Sequence, residues 1–149
     1  MNFNLQTRLN SLVNKNYFWF TLTLTLILID QLTKFAAAGL GWSIFLNDQF
    51  AFSLPVPTPL IFLTYIVVLV GMSYYVYSTA HRFSIQQKIA WAFVYAGGLS
   101  NILERIILGH VRDFIYLATG ILNVADFFIL LGLLLLIVST RREQSSENL

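Results

Sequence analysis

Four long apolar runs separated by short polar segments set the outline of the chain: Tyr17 to Leu40, Leu60 to Thr79, Ile89 to Leu103 and Ile121 to Thr140. A helix needs ~20 apolar residues to cross a bilayer. On that scale the pattern predicts four spans, over 17–40, 59–79, 89–104 and 121–140. The third run is the shortest. It is rich in small residues (Ala90, Ala92, Ala96, Gly97, Gly98, Ser100), which let helices pack closely in lipid. The connector 41–59 holds Trp42, Asn47, Asp48 and Gln49, then Pro55, Pro57 and Pro59. Alternate prolines forbid a continuous helix and put a helix start near Pro59. Residues 104–120 form a second, mixed connector. Residues 1–16 are polar, with Arg8 and Lys15, and are compatible with a short amphipathic segment on a membrane surface. The expectation is one all-α integral membrane domain over 1–149, with four transmembrane helices and a small irregular or β extracytoplasmic region.

Composition strengthens that picture. Of the 149 residues, 57% are apolar and only 11% charged, where a soluble domain carries about 25% charge. The net charge of +2 is spread along the chain and leaves no nucleic-acid footprint. There are no cysteines, which excludes disulfides, thiol nucleophiles and Cys-based metal sites. His81 and His110 stand far apart, so neither a histidine-rich metal site nor any cofactor is expected.

Charge placement gives an orientation. With four spans, the N-terminus, the 80–88 turn and the C-terminus share one side. That side holds Arg8, Lys15, Arg82, Lys88, Arg141 and Arg142, six of the nine basic residues. It should be cytoplasmic. The opposite side holds Asp30, Asp48, Glu104, Asp113 and Asp126, five of the seven acids. Depths also agree. Asp30 lies 15 residues past Lys15, Asn101 13 past Lys88, and Asp126 15 before Arg141. At a ~1.5 Å rise per residue, each sits roughly 20–22 Å from its basic anchor. Three helices thus deliver a polar group to one level near the outer edge of the membrane.

Each polar group also has an ordinary reading. Asp30 and Lys34 are spaced i, i+4 with the acid first, the favourable order for a helical ion pair; they read as a structural brace. Asn101 and Arg105 share a face, where Arg105 could hold a carbonyl or a lipid phosphate, or simply anchor at the interface. Asn123 and Asp126, at i, i+3, could be no more than a helix cap and a first-turn acid. Yet an acid at the head of an apolar run is costly, about 2.5–3.5 kcal/mol at mid-bilayer and less near the interface. Asp113 lies thirteen residues before Asp126. Two carboxylates brought together cannot both ionise comfortably and share a proton. One can then deprotonate water while the other protonates a carbonyl oxygen. His110 reads as a solvated loop residue rather than a base.

Four stretches together resemble one family. Asp30-Gln31-Leu32-Thr33-Lys34 is similar to D-x-x-[ST]-K, and Asn47-Asp48-Gln49-Phe50-Ala51-Phe52-Ser53 to a degenerate N-x-G-A-A-[FW]-S. Gly97 to Arg105 followed by Val111-Arg112-Asp113-Phe114 resembles G-G-x-x-x-N-x-x-D-R and V-x-D-[FY], and Leu122 to Asp126 resembles [FL]-N-x-A-D. The family is lipoprotein signal peptidase, or signal peptidase II. The resemblance implies an aspartyl endopeptidase of the bacterial inner membrane that cuts prolipoproteins before a diacylglyceryl-modified cysteine, and a target of globomycin-type peptides. It implies Asp113 and Asp126 as the catalytic pair. Asn101, Arg105 and Asn123 would position substrate and pair, Asn47 would belong to the substrate-binding region, and Asp30 and Lys34 would support the architecture. Membrane lipids are the other partners, and a monomer is expected. The sequence departs from the motifs at Glu104 (Asp in the family) and at Gln49-Phe50 (Gly-Ala), and the stretch between the two acids is shorter than usual.

Three other readings remain at this stage. A non-catalytic lipopeptide-binding or scaffold protein of the same fold would suit the departures but has no need for two acids near lipid. A transporter subunit would need a polar path, and the charge-free run 60–79 offers none. A cleavable secretory signal over the first run, with Ala36-Ala37-Ala38-Gly39 as its site, sits poorly with Asp30 and Lys34.

Overall fold

The computed structural model describes residues 16–48, 57–118 and 120–147. The surface segment expected near the N-terminus, Gln49-Phe50 and Pro55 lie outside the described residues. Among the described residues, four α-helices carry the chain: α1 (Asn16–Gly39), α2 (Thr58–Thr79), α3 (Ile85–Leu108) and α4 (Val124–Glu147). Four short strands lie between them, β1 (Phe45–Asn47), β2 (Val111–Asp113), β3 (Ile115–Leu117) and β4 (Gly120–Leu122). The result is a mainly α membrane architecture with a small β region.

Helix ends follow local chemistry. Pro57 precedes α2 as its N-cap, and Pro59 sits in the first turn, where its missing N–H costs nothing. Ser84 opens α3 with a reciprocal box: its Oγ accepts from Gln87 N at 3.3 Å while Gln87 Oε1 accepts from Ser84 N at 2.9 Å. Gly109, at φ 80°, closes α3 in the left-handed conformation that favours glycine. α3 therefore reaches further at both ends than the 89–104 of its apolar run. At the fourth run the reverse occurs. Gly120–Leu122 is a strand, and the helix waits for the cap at Asn123.

Among the described residues, three helices are long and apolar enough to cross a membrane, over Phe18–Gly39, Pro59–Arg82 and Val124–Arg141. α3 differs because protein covers its polar groups. It packs against both α1 and α4, and Gln87, Lys88, Ser100, Asn101 and Glu104 along it are buried. The α3–α4 contact is close. A methyl group on Gly97 would overlap the Ala125 carbonyl oxygen and come within 2.7 Å of Ile129. One on Gly132 would meet Val94 at 2.6 Å and the Ala90 carbonyl oxygen at 2.7 Å. α2 is attached more lightly, by an aromatic group at one end (Tyr75 to Trp91, 5.7 Å; Phe83 stacked on Trp91, 6.3 Å) and by Arg105 over the Tyr65 ring at 5.4 Å. Its outer residues Leu63, Val67, Val70 and Tyr77 are exposed, as suits a helix bathed in lipid.

The strands form two antiparallel pairs. β1 runs beside β2 with Phe45 opposite Asp113 and Asn47 opposite Val111. β3 and β4 make a hairpin with Ile115 opposite Leu122. This hairpin occupies the chain between the two acids and leads straight into α4.

Candidate active site

Asp113 ends β2 and is 2% exposed. Both its oxygens accept from amides: Oδ1 from Asn123 Nδ2 at 2.6 Å and Oδ2 from Asn47 Nδ2 at 2.9 Å. The β1–β2 pairing brings Asn47 alongside, although 66 positions separate the two residues. Burial pushes the Asp113 carboxyl above the usual carboxylate range, and the two amide bonds and the charges of Lys34 and Arg105 only partly offset it.

Asp126 sits in the first turn of α4. Asn123 caps that helix, its Oδ1 accepting from Asp126 N at 3.2 Å, and Asp126 Oδ2 accepts from Asn123 N at 3.0 Å. The cap and first-turn acid of the ordinary reading are therefore real. The same side chain also does more. Asn123 spends its carbonyl on the cap and its amide on Asp113, so one residue joins both carboxylates. Asp126 Oδ1 takes a further bond from Asn101 Nδ2 at 3.0 Å. Asp126 is only half-buried, while Asp113 is enclosed.

Behind the two acids lies a ring of six side chains. Lys34 Nζ holds Asp30 at 2.9 Å and Glu104 at 2.8 Å. Glu104 accepts from the Arg112 guanidinium at 2.6 Å and from the Arg112 backbone N–H at 3.1 Å. Arg112 donates to Gln31 Oε1 at 3.1 Å, Gln31 to Ser100 Oγ at 2.9 Å, and Ser100 to Asp30 Oδ2 at 2.6 Å. Two acids and two cations make the ring formally neutral, the arrangement under which charges are tolerated away from water. Two connections leave it toward the site. Lys34 Nζ donates to Asn101 Oδ1 at 3.1 Å, and Asp30 Oδ1 accepts from the Ala125 backbone N–H, beside Asp126, at 2.8 Å.

The polar groups expected at one depth, Asp30, Asn101 and Asp126, thus meet, and Asn47, Asp113 and Asn123 join them. Asp30 and Lys34 pair as their spacing predicts, but the pair is not self-contained. The Arg105 guanidinium lies over Tyr65 on α2, from where its charge still acts on Asp113. Sequence reasoning missed the part played by Gln31, Ser100 and Arg112. Besides the adjacent Asp30, Gln31's partners are 69 and 81 positions away, so no local spacing could signal its part in the ring. A secretory cleavage after the Ala36–Gly39 cluster would remove Asp30, Gln31 and Lys34 from this ring, which argues against that alternative.

Comparison with known proteins gives a consistent answer. Residues 22–142, which contain every residue named in this site, match the family model described as signal peptidase (SPase) II. A protein named lipoprotein signal peptidase from Streptococcus pyogenes serotype M5 (strain Manfredo) is 28% identical over 147 residues, covering 87% of this chain and 97% of its own. The protein of that name from serotype M3 (strain SSI-1) is 27% identical with the same coverage. Among solved structures, a chain described as a bacterial membrane enzyme structure determined by the in meso method at 2.3 Å resolution superposes with a TM-score of 0.74 at 20% identity, covering 88% of this chain and 92% of that one. A second, at 1.9 Å, gives 0.72 over 84% and 93%. These two likenesses concern the fold.

Proposed function

The chain belongs to the signal peptidase (SPase) II family, and from that premise we propose that it is an aspartyl endopeptidase that removes the signal peptide from diacylglyceryl-modified prolipoproteins, cutting before the lipidated cysteine. The observation that carries the proposal is Asn123, which joins Asp113 and Asp126 through its amide, cap carbonyl and backbone N–H. A scaffold would have no use for two tethered acids at the end of a lipid-exposed bundle.

In the proposed reaction, water is held between the two carboxylates. One takes a proton as the water oxygen bonds to the scissile carbonyl carbon, and the other protonates the carbonyl oxygen. The tetrahedral intermediate collapses as a proton passes to the departing nitrogen, the C–N bond breaks, and the pair regains its single shared proton. The pair titrates jointly, so the proton is assigned to neither acid alone. Amide donors keep both carboxylates aimed without neutralising them. Asn47, Asn101, Arg105 and Asn123 are proposed to position substrate and pair, with Asp30 and Lys34 as support.

The N- and C-termini are proposed to face the cytoplasm, with the site near the outer face, following the placement of basic residues. Substrate then enters laterally from the bilayer, since its acyl chains remain in lipid. The test is cleavage of a diacylglyceryl-modified prolipoprotein by the purified protein in detergent, read as a gel shift. Native protein should cleave, and Asp113→Asn and Asp126→Asn should each lose activity while remaining folded. Near-normal turnover in either variant rejects the pair. A folded native protein that binds this substrate without cutting it rejects the peptidase in favour of the lipopeptide-binding scaffold.

A further inference from the structure

The hydrogen bonds of Glu104 go to Lys34 and Arg112 rather than to either acid of the proposed pair, yet it lies between the elements that carry them. Its carboxylate is 3% exposed and saturated: Oε2 accepts from Lys34 Nζ at 2.8 Å and from Arg112 N at 3.1 Å, and Oε1 accepts from the Arg112 guanidinium at 2.6 Å. Arg112 immediately precedes Asp113 in β2, and Gln31 steadies its far end at 3.1 Å. Lys34, on the other side, occupies the carbonyl oxygen of Asn101 at 3.1 Å, which leaves the amide of Asn101 for Asp126 at 3.0 Å. One carboxylate therefore holds the strand bearing Asp113 and, through Lys34 and Asn101, the orientation of the amide on Asp126.

We propose that Glu104 is a positioning residue for both carboxylates, and that its full side-chain length, matched by Arg112 and Gln31, does here what a shorter acid does in the family motif. The inference rests on the peptidase reading above. Its physical basis is reach. Aspartate would withdraw the carboxylate by about 1.5 Å, one carbon–carbon bond. Contacts of 2.6–3.1 Å to α1 on one side and β2 on the other could not then all survive, since such bonds need about 2.7–3.2 Å. The variant closest to the family motif should thus be the damaging one in this chain.

The experiment measures kcat and KM for diacylglyceryl-prolipoprotein cleavage by the native protein, Glu104→Asp, Arg112→Lys and the double variant. In Glu104→Asp, kcat should fall about 10–100-fold, with KM within about twofold of native. Arg112→Lys should show the same split, and the double variant should be no worse than the weaker single one, because both break one linkage. Native kcat in Glu104→Asp overturns the inference. So does a fall in kcat that comes with a KM raised beyond twofold and a lowered melting temperature, which is the signature of a merely structural prop. If Glu104→Asp does not fold, Arg112→Lys decides by the same criteria. Absence of cleavage by the native chain, beside an active lipoprotein signal peptidase as control, overturns the peptidase reading and this inference with it.

Discussion

Asp113 is the residue at which stability and the proposed activity pull in opposite directions. Burial raises its carboxyl above the ordinary range, so between that range and its folded value the native state binds more protons than the unfolded chain. Stability must then fall as pH rises through this window. Asp113→Asn removes the titration. Whatever its absolute melting temperature, the variant should lose this part of the fall in stability from about pH 4 upward, as followed by thermal unfolding in detergent at a series of pH values. For activity, the alkaline limb of kcat/KM should lie above the pH at which an exposed carboxylate titrates, since loss of the shared proton ends the acid half of the reaction. Asn123 allows a cleaner separation. Serine caps helices about as well as asparagine, but it has no amide to offer Asp113. Asn123→Ser should keep the native melting temperature within a few degrees while losing about 10–100-fold in kcat. Asn123→Ala should lose both activity and about 1 kcal/mol of stability.

Among the elements, α3 and α4 are held to each other more tightly than either is to α2. Gly97 and Gly132 face opposite partners across this contact, and neither has room for a methyl group. Asp126 lies one position beyond Ala125, whose carbonyl meets Gly97, so widening the contact moves the acid. Gly97→Ala should therefore reduce cleavage more than Gly132→Ala at similar loss of melting temperature. Gly71→Ala on α2, with nothing within 4 Å, should be neutral or stabilising by up to about 1 kcal/mol. The helices themselves were largely legible in the sequence, because in lipid an apolar run and a helix are nearly the same statement. Their ends were less so. The limits of α3 are set by Ser84 and Gly109 rather than by hydropathy, and Ile121-Leu122 is apolar yet a strand. Of the candidate site, residues linked by one helical turn were readable: Asp30 with Lys34, and Asn123 with Asp126. Asn101 and Arg105 share a helix turn too, but Arg105 answers to Tyr65, a partner on another helix. The same limit hid Gln31, whose role exists only once distant segments have met.

At the scale of the whole molecule, the proposed orientation can be read chemically. The chain contains no cysteine, so a single introduced thiol reports without background. A thiol at Asp48, exposed just beyond β1, should react with a membrane-impermeant maleimide on intact cells. One at His81, exposed in the turn between α2 and α3, should react only after lysis. The opposite result would invert the assignment. The ring that joins α1, α3 and β2 also bears on how the protein is made. Lys34 and Glu104 are 70 positions apart. At about 5–20 residues per second, the ribosome delivers the second roughly 4–14 s after the first. During that interval α1 stands in the bilayer with two charges and only each other for company, at i, i+4. Had the partner of Lys34 been placed solely on α3, the finished ring could look the same, but the newborn α1 would carry an uncompensated ammonium. The Asp30–Lys34 spacing is thus a provision for birth as well as for the mature fold: it makes α1 acceptable to lipid before α3 exists.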